Sequence, residues 1–124
     1  MTEIDTIAAW NRATEFMADD LPLDAGHGDH HLVAAISVDG AIEGNGVEQV
    51  FETHDVAEAI AAFRWFGLED VAEFLENAAS EVSGADEDWD GQASAEYYDF
   101  EVERRLTEAL GDRLATDPEA FLPL

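Results

Sequence analysis

The sequence predicts an all-α protein, a compact bundle of five to six short helices. Three observations carry the prediction. Apolar residues make up 47% of the 124 positions, enough for a globular core and too many for a disordered chain. Alanine, glutamate and leucine, all good helix formers, dominate. Apolar side chains recur at three- and four-residue steps, and the three prolines, Pro22, Pro118 and Pro123, fall near element ends.

The first helix is expected to begin near Thr2, which can cap it with Asp5 three residues on. Ile4, Ile7, Ala8, Trp10 and Phe16 give it an apolar side, and it ends around Asp19-Asp20, before Leu21-Pro22. Residues 21–29 read as a loop. Asp29 is placed as the N-cap of a second helix from His30 to about Ile42, with Leu32, Val33, Ala35 and Ile36 apolar. Val38 and its β-branched neighbours leave a strand open there. Gly44-Asn45-Gly46 is a turn, and Val47 to Phe51 starts a short helix. Asp55 caps the next helix, whose Val56, Ile60, Phe63 and Phe66 form a core stripe, and Gly67 ends it. Another helix runs from about Glu69 to Val82, with Val71, Phe74, Leu75, Ala78 and Val82 on one side. A loop over Ser83 to Gly91 follows. A long last helix is expected from about Ser94 to Ala115, carrying Tyr98, Val102, Leu106, Leu110 and Leu114 at i+4 steps. Thr116 or Asp117 caps a closing turn with Pro118 at its first position. The chain reads as a single helical domain over residues 1–124.

Charge is the unusual feature. Thirty acids stand against five arginines (Arg12, Arg64, Arg104, Arg105 and Arg113), a net of −25, and there is no lysine. A comfortable charge for a small domain is roughly 2–8 in magnitude, so self-repulsion is severe in dilute buffer. Molar salt shortens the Debye length to roughly 3 Å and removes most of it. The acidity is therefore expected to be mainly adaptation to a salt-filled cytoplasm, as in a halophilic archaeon. The rival reading is a functional acidic face. Half of the thirty acids on one side, fifteen, would be comparable with the roughly ten phosphates that a duplex about 35 Å long shows on one side. The two halves of the sequence carry nearly equal net charge, which favours a general coat. A map of exposed acids separates the two readings, because mimicry needs a ridge with spacings of about 7 Å.

Several classes are excluded. With no cysteine there is no disulfide framework, thiolate zinc site or cysteine nucleophile. No apolar run approaches the roughly 20 residues of a membrane span, and no positive n-region marks a secretory signal, so a cytoplasmic protein is expected. Direct nucleic-acid binding lacks its basic footprint.

Asn45-Gly46-Val47-Glu48-Gln49-Val50-Phe51 resembles the Asn-Gly-Gly-x-x-Gln-x-Phe signature of the DNA mimic protein 19 family. The helix pair Val56 to Leu75 and the tail Glu96-Tyr97-Tyr98 to Pro118-Glu119-Ala120-Phe121 are similar to the same family, so the likeness spans about 30–122. Val47 stands where the family has a second glycine, and the turn at Glu52-Thr53-His54 is altered. The resemblance implies an all-α fold. For one characterised member it also implies binding to a helix-turn-helix transcription factor in place of DNA. Within this motif Asn45-Gly46 reads as a turn needing positive φ, Gln49 as a side chain bonding back to that backbone, and Phe51 as core. The motif is thus expected to be structural.

Asp86-x-Asp88-x-Asp90-Gly91 matches the start of an EF-hand calcium loop. Tyr97 occupies the twelfth position, where a bidentate Glu belongs, and Glu96 is one residue early. Asp86, Asp88 and Asp90 are therefore candidate Ca²⁺ ligands of a weak site, and otherwise no cofactor is expected. His27-Gly28-Asp29-His30-His31 and His54 read as loop and helix-start residues rather than a metal site. Trp65 lies off its helix's core stripe and suits either a second packed face or a partner interface. Arg104 and Arg105 are expected to pair with Glu101 and Glu108. No nucleophile–base constellation, P-loop or dinucleotide fingerprint is legible. The sequence predicts a non-enzymatic acidic helical protein, and the resemblance implies a DNA-mimic-like regulator that binds a DNA-binding protein or transcription factor, with a weak calcium-binding module on the Asp86–Asp90 loop as the alternative.

Overall fold

Seven α-helices and two short 3-10 turns account for the architecture, with no strand among the described residues. The computed structural model describes residues 3–18 and 21–123. The helices are α1 (Glu3–Ala18), α2 (His27–Asn45), α3 (Val47–Thr53), α4 (Val56–Trp65), α5 (Glu69–Glu81), α6 (Trp89–Tyr98) and α7 (Val102–Thr116), with 3-10 turns at Val82–Gly84 and Pro118–Ala120. The expected Thr2 cap, the Ile4 side chain and the Asp19-Asp20 end lie outside the described residues.

Helix α2 is the axis of the bundle. It packs against α1, α3, α4, α6, α7 and the closing turn. Leu32, Ala35, Ile36, Val38 and Ile42 are buried, and Val33 and Ala34 pack against the core from other sides. A helix touched on so many sides has no single apolar stripe, which explains why its periodicity left a strand open. It begins three residues before the expected His30. Asp29 is the third residue of the helix rather than its N-cap, and its Oδ2 reaches back to the Gly26 amide at 3.0 Å.

The junctions follow from local chemistry. Asp55 caps α4, accepting from the Glu58 amide at 3.2 Å. Gly67, at φ 85°, closes α4: its amide reaches Arg64 O at 3.0 Å and that of Leu68 reaches Phe63 O at 2.8 Å. Gly46, at φ 91°, separates α2 from α3, and a Cβ there would lie 2.7 Å from Asp90 Oδ2. The backbone at Gly46 strains any larger residue, and a Cβ there would push the Asp90 carboxylate off the Glu48 amide.

Two expectations are corrected. The long C-terminal helix is two helices, broken at Asp99-Phe100-Glu101, and α6 starts at Trp89 rather than Ser94. Glu101 sits at φ 51°, the one non-glycine among the described residues with positive φ. The bend lets Phe100 pack against Phe74 and Tyr97, and turns Val102, Leu106, Leu110 and Leu114 into the core while Tyr98 stays 47% exposed. On α1 the buried face is Thr6, Ala9 and Ala13, with Trp10 and Phe16 half-buried and Ile7 and Ala8 exposed. Small residues form the buried face of α1, which packs against α2 and α7, because they allow a closer helix approach than Ile7 would.

The core is one contiguous apolar cluster running through all seven helices and the closing turn. No helix among the described residues is long and apolar enough to cross a membrane.

Candidate functional site

Carboxylates in this molecule divide by whether they have partners. The buried ones have them. Asp29 accepts from Arg12 Nη2 at 3.0 Å, from the Gly26 amide and from the Leu122 amide at 2.8 Å, tying α1, the start of α2 and the C-terminal segment together. Gly26 and Gly28 make this possible, since a Cβ on either would strike the Ala120 carbonyl. Asp39 accepts from the Tyr97 hydroxyl at 2.7 Å, joining α2 to α6. Burial pushes the Asp39 carboxyl up to about 6; the Tyr97 bond opposes the shift, and Glu43 and Glu103 add to it. Burial and the neighbouring Asp39 hold the Tyr97 hydroxyl above its ordinary range, so it stays a donor.

The turn of the resembling motif is bonded differently from the expected way. Asn45 ends α2, Gly46 supplies the predicted positive φ, and Phe51 is half-buried against the core. Gln49 is exposed, and among the described residues its side chain bonds to nothing at the turn. The amides at the start of α3 are satisfied from α6: Ser94 Oγ accepts from Val47 N at 3.0 Å, and Asp90 Oδ1 accepts from Glu48 N at 2.8 Å.

The three aspartates of the calcium-like loop are divided by the same geometry. Asp86 Oδ1 accepts from the amides of Asp88 (3.1 Å) and Trp89 (3.0 Å), fixing the start of α6. Asp90 turns to α3 instead. Among the described residues no group of three or more histidine, aspartate or glutamate side chains is placed to hold a metal ion.

The histidine segment forms an aromatic cluster. His27 and His31, one helical turn apart, both contact Trp65, with His31 stacked on it at 5.1 Å between centroids. Arg113 lies 4.3 Å above the same indole and donates Nε to the Trp65 carbonyl at 3.0 Å. Burial, helped by His27, His30 and Arg113, lowers the pKa of His31. Trp65 therefore serves a second packed face, with Phe66 and Phe121 also against it.

All five arginines have partners. Arg12 pairs with Asp29, Arg64 with Glu69 and Glu76, and Arg104 with Glu101 and Glu108 as expected. Arg105 does not follow the expected local pairing. It reaches across to α5 and grips both oxygens of Asp70 at 2.8 and 2.9 Å. That pair draws the Asp70 carboxyl below its ordinary range.

Exposed acids occur on every helix, a general coat. They are densest between Glu69 and Glu103, where thirteen acids occur with no basic residue. Comparing the two halves of the sequence hides this run, because its start and end are diluted by arginine-bearing flanks. Glu69, Glu73 and Glu76 share one face of α5, rising about 6 and about 4.5 Å along its axis, although Arg64 bridges the outer two. Between α5 and α6 lies a groove of about 370 Å³. Half-buried Phe74, Trp89 and Phe100 line it, with Asp70, Glu73, Glu81 and Glu96 among its carboxylates. It adjoins a second concavity of about 290 Å³ that includes Asp86. Glu81 accepts from the Trp89 indole at 3.3 Å. Among the described residues Glu73 and Glu96 have no ion-pair or side-chain hydrogen-bond partner.

Fold and surface together define a class: a small all-α protein whose exposed charge is overwhelmingly carboxylate, concentrated beside an aromatic-lined groove. The profile of one family, described as DMP19-like protein, matches residues 26–122, and the chain belongs to that family. Helix α1 lies N-terminal to the matched region and is held to it in part by the Arg12–Asp29 pair. No curated protein and no solved structure matches the chain significantly.

Proposed function

We propose that this chain is a DNA-mimic-like regulator that acts in the cytoplasm by binding rather than by catalysis, its α5–α6 face occupying the basic DNA-binding surface of a protein partner. The observation that carries the reading is the acid-rich stretch Glu69 to Glu103, free of basic residues, in a member of the DMP19-like family. Such a face attracts the lysines and arginines that otherwise contact phosphate, and it raises the on-rate through long-range steering. The wider coat of acids on the remaining helices is read as adaptation to a salt-rich interior, where screening leaves short-range contacts to decide specificity.

The test is capture followed by competition. The immobilised chain, exposed to a lysate of its own cells, is expected to retain a DNA-binding protein that duplex DNA then elutes, with retention falling as salt rises. Retention of nothing that binds DNA, or a retained protein that DNA does not displace, removes the reading.

A further inference from the structure

The groove between α5 and α6 offers more than negative charge, because a phosphate backbone has no aromatic walls. We infer that this groove is a socket for an arginine side chain carried on a basic segment of the partner, and that it selects arginine over lysine. This rests on the proposed mimicry for the partner's basic character and names what the acidic face grips.

Three features support the assignment. Phe74, Trp89 and Phe100 line the cavity and are only half-buried, so aromatic surface stays open to a guest. A planar guanidinium can stack on such rings and bond carboxylates in the same plane, whereas an ammonium acts as a compact, strongly hydrated charge. Glu73 and Glu96, on the two helices that form the walls, lack partners among the described residues, so their acceptors are available. The molecule already places one guanidinium on a groove carboxylate. Arg105 grips both oxygens of Asp70, and its Nη1 lies 3.5 Å from the Phe100 carbonyl. The volume of about 370 Å³ accommodates a second arginine beside it.

The experiment titrates the isotopically labelled chain with a hexa-arginine peptide and, separately, with hexa-lysine at the same ionic strength. The readout is the indole N–H resonances of Trp10, Trp65 and Trp89, with Trp89→Phe identifying the third. The socket predicts that Trp89 shifts saturably and first. Hexa-arginine is expected to bind roughly three- to thirty-fold more tightly than hexa-lysine, the range set by a stacked cation. Glu73→Gln with Glu96→Gln is expected to weaken hexa-arginine about tenfold, while Glu15→Gln with Glu58→Gln, elsewhere on the coat, changes it little. Equal affinity for the two peptides, a Trp89 resonance that does not respond, or equal loss in both double variants overturns the proposal. Displacement of DNA from a captured partner, if it persists in any of those cases, leaves the mimicry standing without the socket. Arginine-selective binding without DNA displacement leaves the socket standing without mimicry.

Discussion

Two regions of this molecule use the same functional group in opposite ways. In one, Asp29 is buried and fully engaged, holding an arginine and two backbone amides from three parts of the chain. In the other, Glu73 and Glu96 stand beside a groove with no partner among the described residues. A carboxylate's environment, rather than its presence, decides whether it builds the fold or faces outward. In a chain with thirty acids this difference separates scaffold from candidate surface.

Breaking the engaged Asp29 region is expected to give the largest effect. Asp29→Ala leaves the Arg12 guanidinium, only 18% exposed at its side chain, without its carboxylate, and orphans the Gly26 and Leu122 amides. A loss of about 3–5 kcal/mol in chemical denaturation is expected, as for removing one partner of a buried pair. A loss below about 1 kcal/mol contradicts the role given to Asp29.

Asp39 is engaged by a single hydroxyl, that of Tyr97, and pH reads the difference. Its folded-state carboxyl titrates at about 6 against an ordinary 3.8, so protonation favours the folded state. The resulting stabilisation is fully present below about pH 4 and is lost as pH rises through about 6. The swing is worth up to about 3 kcal/mol. Denaturation between pH 7 and pH 5 is expected to show stability rising toward pH 5. Asp39→Asn, which can still accept from Tyr97, is expected to flatten that slope. An unchanged slope assigns it to other groups.

At the groove, partnerless carboxylates contribute repulsion and no bonds. Glu73→Gln with Glu96→Gln is expected to leave stability within about 0.5 kcal/mol at high salt and to raise it modestly in dilute buffer, where the Debye length is about 10 Å or more. A clear loss at high salt means that these glutamates have structural work after all.

The same contrast explains how far the sequence could be read. Local signals survived: the Asp55 cap, the Gly67 stop, the Val56-Ile60-Phe63-Phe66 stripe and Pro118 opening the closing turn all stand in the structure. Each depends on neighbours within one or two helical turns. The break between α6 and α7 was illegible because Tyr98 and Val102 continue the i+4 pattern across it, with no glycine or proline to mark it. The α1 face departs from the expectation because alanine and threonine, rather than the larger Ile7, are the buried residues of α1. The roles of Asp29, Asp90 and Arg105 rest on partners 93, 42 and 35 residues away, beyond any local pattern. The groove likewise needs Phe74, Trp89 and Phe100 from three separate segments. Its one sequence trace is the run from Glu69 to Glu103 without a basic residue.

The most direct test of the account compares two triple variants of equal charge in displacing duplex DNA from a captured DNA-binding partner. Glu73→Gln, Glu81→Gln and Glu96→Gln neutralise the groove, while Glu15→Gln, Glu52→Gln and Glu58→Gln neutralise the coat elsewhere. The account predicts that the first set abolishes displacement and the second leaves it nearly intact. Equal weakening by both sets contradicts it, because bulk charge rather than the α5–α6 face would then be what the partner recognises.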